Sequence, residues 1–227
     1  MAFEPGTQWR YGFSTDVIGA IIEVVSGMSL GDFYQKELFG KLDMKDTGFY
    51  VPTDKIDRFA KLYTWSDDDH DPKLREELSR HLCLTNSLKQ PGFESAGAGL
   101  VSTTDDYAHF AQMLMQNGSY KGQSILGRKI VELLGQNLLS KEQMKDIEDE
   151  QMKGYGYGNF MRIYLDMGQA ACSGTVGEMG WDGWTGTYFT VNPKEKFSII
   201  MMLQRCEYVS PALMRKVRNV AYALLDA

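Results

Sequence analysis

The sequence predicts a mixed α/β or α+β fold, on three observations. Apolar residues recur at helical spacing through residues 16–42 and 104–116, the pattern changes to alternation across 187–204, and Ser210-Pro211 opens a last segment that is helical again. With 227 residues, 43% hydrophobic and 24% charged, the chain is long enough to bury a sizeable core.

Ser14 or Thr15 is predicted to cap a helix over 16–26, because Val17, Ile18, Ile21, Ile22 and Val25 share one face and Gly27 suits the C-terminal stop. A second helix follows at once: Ser29 with Asp32 resembles a capping arrangement, and Phe33, Tyr34, Leu38 and Phe39 supply a buried stripe up to Leu42. Between 47 and 90 the periodicity weakens. There Asp67-Asp68-Asp69-His70-Asp71-Pro72 reads as a solvated loop, since it lacks the alternating oxygen ligands, turn glycine and closing Glu of a calcium loop.

Gly97-Ala98-Gly99-Leu100-Val101-Ser102 is a run of small residues where backbone must come close to something. Thr103-Thr104-Asp105-Asp106 then starts a helix whose Tyr107, Phe110, Ala111 and Leu114 share a face and which Asn117-Gly118 ends. A helix is predicted over 128–134, and 141–152 is a charged, exposed stretch compatible with helix. Thr187, Phe189 and Val191 alternate with Tyr188 and Thr190, Asn192-Pro193-Lys194-Glu195 turns the chain, and 197–204 is a buried strand, which together make a hairpin. The closing helix carries Leu213, Val217, Val220, Ala221 and Leu224 on one face.

A net charge of -6 without a basic cluster argues against a nucleic-acid partner. The longest apolar stretches, 17–25 and 197–203, are too short to span a bilayer, and the first residues lack the features of a secretion signal. Three cysteines, Cys83, Cys172 and Cys206, show no metal-ligand spacing and read as reduced thiols of a cytoplasmic protein. His70, His81 and His109 show no metal spacing either, so neither metal nor cofactor is expected.

Gly27-Met28-Ser29-Leu30-Gly31 fits Gly-x-Ser-x-Gly, but its upstream segment is helical and the last histidine, His109, leaves half the chain after any triad. Gly154-Tyr155-Gly156-Tyr157-Gly158 lacks a following phosphate-binding helix and reads as the start of a strand. Tyr11 lies between a loop and a helix start, where its phenol either projects into a cleft or packs as a core aromatic. The glycines of Gly180-Trp181-Asp182-Gly183-Trp184 permit close approach of a ligand, and unpaired strand amides there can donate to a developing oxyanion. No serine is followed three residues later by lysine, the spacing that stacks both on one helix face.

Pro5-Gly6-Thr7-x-Trp9-x-Tyr11, Ile18-Gly19-x-Ile21-Ile22-Glu23-x-Val25-Ser26-Gly27, Leu42-x-Met44-x-Asp46-Thr47-Gly48-Phe49 and Gly97-x-Gly99-Leu100-Val101-Ser102-Thr103, in this order, resemble the serine β-lactamase-like family of class C β-lactamases, penicillin-binding-protein-like carboxypeptidases and esterases. The resemblance implies a β-lactamase/transpeptidase-like fold, an antiparallel sheet flanked by helices plus a helical lobe. Residues 1–150 would be mainly lobe, and 151–227 the C-terminal strands and closing helix. The family's N-terminal strands and nucleophile helix would precede Pro5, so the chain resembles a C-terminal portion, with self-association or a complementing N-terminal segment expected.

The same resemblance implies that Tyr11 assists proton transfer and that Phe13, Trp181, Asp182, Gly183 and Trp184 line the substrate cleft, the amide of Trp184 facing the oxyanion. Phe13 stands where the family has an amide-binding Asn, and Trp181 where it has a cationic Lys or His. Losing both polar anchors implies the esterase branch and puts small acyl esters ahead of amides and β-lactams as substrates.

Overall fold

A computed structural model describes residues 3–65, 74–76, 87–147, 152–206 and 211–225. The acidic run 67–72, His70, His81 and Cys83 lie outside the described residues.

Helix α1 (Ser14–Ser26) stops at Gly27, whose left-handed backbone (φ 67°) lets its amide donate to the Glu23 carbonyl at 2.9 Å. Its start differs from expectation. Phe13 holds the cap position with no side-chain hydrogen bond, because Ser14 and Thr15 are already inside the first turn. Its apolar stripe also differs: α1 buries Gly19 alone, while Val24 and Val25 are 84% and 81% exposed and Val17, Ile18 and Ile21 face solvent with them.

The next helix starts where expected, with Ser29 Oγ accepting from the Asp32 amide at 3.1 Å. It runs as α2 (Leu30–Tyr34), a π-helical turn Gln35–Phe39 and α3 (Gly40–Leu42). A 3-10 turn Thr53–Arg58 and the strand pair β1 (Tyr63–Trp65) and β2 (Leu74–Glu76) follow. Thr103 Oγ1 caps α4 (Thr104–Met115) through the Asp106 amide at 3.2 Å. After α4 the backbone turns at Gly118, where any side chain would strike the Leu126 carbonyl, and makes a small hairpin of β3 (Ser119–Tyr120) and β4 (Gln123–Ser124). α5 (Arg128–Leu134) lies where the spacing predicts it, and the charged stretch after it forms a short 3-10 turn, Gln143–Ile147.

The main sheet is an antiparallel meander of β5 (Tyr155–Gly158), β6 (Met161–Tyr164), β7 (Met179–Asp182), β8 (Tyr188–Asn192) and β9 (Phe197–Met201), in chain order, with α6 (Met167–Ala170) between β6 and β7. Alternation sorts its side chains to two faces. Ile163, Met179, Phe189 and Val191 join Leu42, Ala111, Met113 and Leu114 in the main core, under α4. Tyr188 and Ile199 meet Met214 of α7 (Pro211–Tyr222) on the other face.

The buried side of α7 is in part the one expected: Leu213, Val217 and Ala221 pack against Tyr188, Ile199 and Met214, but two residues of the stripe are left uncovered. Val220 and Leu224 are each 70% exposed, and Met214 and Arg218 are buried instead. Arg218 is buried because its needs are met: it donates to Glu178, to the Tyr188 hydroxyl at 2.8 Å and to the Ser173 carbonyl at 2.7 Å. Tyr222 and Thr190 donate to the same Glu178 carboxylate, so six groups, the Ser173 carbonyl included, share one network.

Candidate active site

The loop before α1 is clamped onto the 3-10 turn Gln143–Ile147. The Trp9 amide donates to Asp146 Oδ2 at 2.8 Å, and Gln143 Nε2 donates to the Gly6 carbonyl at 2.9 Å. Two residues beyond Trp9, Tyr11 is thereby held over β7, and its ring stacks on Trp181 with centroids 5.6 Å apart and planes 12° from parallel. Tyr157 of β5 meets Trp181 edge-on at 5.4 Å and Trp9 at 5.2 Å. Four rings therefore form a continuous series, Trp9, Tyr157, Trp181, Tyr11, each contact worth about 0.5–1.5 kcal/mol beyond area burial.

Tyr11 remains 64% exposed, so its phenol is open to a ligand. The Tyr157 phenol is pushed up to about 12, first by burial and then by the neighbouring Tyr11, and stays a neutral hydrogen-bond donor. At the start of α1, the Asp16 carboxylate accepts from Ser95 Oγ at 2.7 Å and from the Gly97 amide at 3.1 Å. The small residues of this strap have a structural reason: a side chain at Gly97 would strike Thr15.

The structure separates the remaining predicted site residues. Phe13 is 74% exposed, and among the described residues no ring stacks on it. Asp182 follows Trp181 on a strand and therefore lies on the opposite, α7-facing side, where Arg162 grips it with two hydrogen bonds of 2.8 and 2.9 Å. The Gly183 amide donates to the Thr187 carbonyl at 2.7 Å, so it is engaged in the β7–β8 turn, and Trp184 lies half-buried at that turn. Gly180 is explained by its neighbour strand, since a Cβ there would meet the Phe189 carbonyl at 2.0 Å.

Ser29 sits between two helices as the cap of α2, which excludes the strand-to-helix elbow. His109 lies on α4 with its ring 5.4 Å from Tyr120, at the edge of the core. Among the described residues no three His, Cys, Asp or Glu side chains group as a metal site. A cavity of about 380 Å³ lined by Phe39, Phe49, Phe59 and Val101 shares no residue with the aromatic series, and its Lys55 and Arg58 are both bound by Asp46.

The Beta-lactamase family model matches residues 1–223. The chain belongs to the β-lactamase family. Among curated relatives of this β-lactamase-family chain, Protein Rv1367c of Mycobacterium tuberculosis is 28% identical over 215 residues, 92% of this chain and 52% of that protein. Esterase EstB of Burkholderia gladioli is 22% identical over 98% of this chain and 56% of its own length. The structure of EstCE1, a hydrolase with promiscuous acyltransferase activity, superposes with a TM-score of 0.80 at 24% identity, covering 97% of this chain and 57% of that one. The likeness to EstCE1 shows the β-lactamase/transpeptidase-like fold. The chain spans about half the length of the relatives it matches.

Within this β-lactamase-family fold, sequence reading missed three residues that pack around Tyr11 and Trp181. Trp9 and Tyr157 were legible only as aromatics in motifs, while Arg162 carries no local signal, because its partner Asp182 is 20 residues away. Among the described residues no single helix is long and apolar enough to cross a membrane; α1 and the α2–α3 stretch would reach that length only together, and they are bent by 80°.

Proposed function

We propose that this chain supplies the proton-transfer tyrosine and the cleft strand of a serine esterase, and that the nucleophile comes from a Ser-x-x-Lys segment not present in its sequence. In this reading residues 1–150 are the lobe and 151–227 the sheet and closing helix of one partial domain. The attacking serine oxygen bonds to the ester carbonyl carbon, and its proton passes through the Tyr11 phenol to the departing alkoxide as the C–O bond breaks. Water then releases the acyl group by the reverse path.

The observation that carries this reading is the stacking of Tyr11 on Trp181, two residues 170 positions apart that the resemblance places in one cleft. Trp181 and Phe13 offer no charge to a carboxylate, and the nearby Arg162 cation is neutralised by Asp182, which favours small neutral acyl esters. The names of EstB and EstCE1 point to the same chemistry.

Intact-mass spectrometry with a fluorophosphonate tests it. The chain alone should form no stoichiometric adduct, and mixing it with a Ser-x-x-Lys segment from a relative should give one adduct, on the added serine, together with hydrolysis of short acyl esters. A stoichiometric adduct at Ser14 or Ser29 of the chain alone would overturn the proposal.

The exposed stripe of Val17, Ile18, Ile21, Val24 and Val25 favours a second reading, in which the chain is a non-catalytic partner that associates through α1.

A further inference from the structure

We infer that Arg162 is a positioning residue for the cleft, holding the end of β7 that carries Trp181; the inference rests on Trp181 being a cleft residue, as proposed above. Toward the cleft, the last registered pair between β6 and β7 is Arg162 with Gly180, whereas β7 stays paired to β8 through Asp182 with Tyr188. Trp181 and Asp182 are thus laced by a strand ladder on the β8 side, and on the β6 side the Arg162 fork takes the ladder's place.

The geometry suits that role. Opposite Arg162 stands Gly180, which has no side chain to block the reach of the guanidinium to Asp182, the diagonal neighbour two residues on. Both ends of the fork are nearly buried, with 9% and 11% of the two side chains exposed. The same guanidinium lies 4.8 Å from the Tyr155 ring centroid, 5.9 Å from that of Tyr188 and 5.9 Å from that of Trp181 itself. Burial of a rigid, planar cation between rings fixes direction as well as distance, which a lysine could not do. Asp182 is accordingly a strut behind the cleft, and the residue beside it on the strand, Trp181, is what the strut aims.

The test needs no catalysis, so it stands or falls separately from the esterase reading. In the full chain labelled with 5-fluorotryptophan, Trp181 should give one narrow fluorine resonance, assigned by its loss in Trp181→Phe. Arg162→Lys, which keeps the charge and loses the fork, should shift or broaden that resonance while leaving Trp65 unchanged. Amide exchange at residues 181–183 should rise about tenfold, the factor expected when a charge-assisted hydrogen bond is lost, with 188–191 and 197–201 unchanged.

The paired substitution Arg162→Met with Asp182→Leu guards against simple misfolding, because apolar replacement of both partners of a buried ion pair commonly preserves stability. It should keep the thermal midpoint and still lose the narrow Trp181 resonance. An unchanged Trp181 resonance in either variant would overturn the inference, as would faster exchange spread evenly over β8 and β9.

Discussion

Helices α1 and α7 both carry an apolar stripe in the sequence, yet the fold treats them oppositely. α7 buries Met214 and even the charged Arg218 against the sheet, whereas α1 buries one glycine and leaves five branched aliphatic residues in solvent. The contrast teaches that a stripe records a helix's capacity to be covered, and only the rest of the structure shows what covers it. On the α7 side Met214 is buried and Arg218 has its hydrogen bonds met, while Val220 stays in solvent. On the α1 side the Asp16 edge is held by the strap 95–97, and the face that carries Val17, Ile21, Val24 and Val25 lies open.

The largest effect should come from the closed side. Arg218→Met strips Glu178 of its buried cation, and urea unfolding should show a loss of about 3–5 kcal/mol, the usual result of orphaning one member of a buried pair. A loss below about 1 kcal/mol would mean that water reaches the network and that α7 is less tightly closed than its contacts indicate.

The open side should answer differently. Ile21→Glu and Val24→Glu should each change stability by no more than about 0.5 kcal/mol, as at solvated positions. Light scattering should show self-association of the parent chain, and its reduction by the same substitutions. If either substitution unfolds the chain, the α1 face is covered from within and the contrast with α7 fails.

The smallest effect concerns pH and the helical region. Hydrogen bonds from Arg58 and then Lys55 lower the Asp46 carboxyl from 3.8 to about 2. A depressed carboxylate contributes stability above its unfolded value and loses it as pH falls through its folded value. Asp46→Asn should therefore cost about 1 kcal/mol or less at neutral pH, with the gap to the parent closing as pH falls from 3.8 to about 2. A gap that persists in acid would assign the cost to packing.

Much of this architecture was legible before the structure. The Gly27 stop, the Ser29 and Thr103 caps, the 128–134 helix and the C-terminal hairpin follow from local chemistry, because capping, left-handed turns and alternation act over a few residues. Leu213, Val217 and Ala221 of the α7 stripe face the core as read, but the burial of Arg218 was not legible, because it is polar by composition and becomes core only once Glu178, 40 residues earlier, meets it. The site divides in the same way. Tyr11 and Trp181 each stood in a recognisable motif, but the grip of Arg162 on Asp182 joins residues 20 positions apart, which no spacing rule reveals.

The measurement that tests the central claim most directly is turnover by Tyr11→Phe in the chain complemented with a Ser-x-x-Lys segment. Removing a proton-transfer group should lower kcat for short acyl esters by about 10²–10⁴, while the loss of one exposed hydroxyl should cost no more than about 1 kcal/mol of stability. If the complemented Tyr11→Phe protein keeps full activity, Tyr11 moves no proton, and the stacked pair of Tyr11 and Trp181 is a packing feature of the fold.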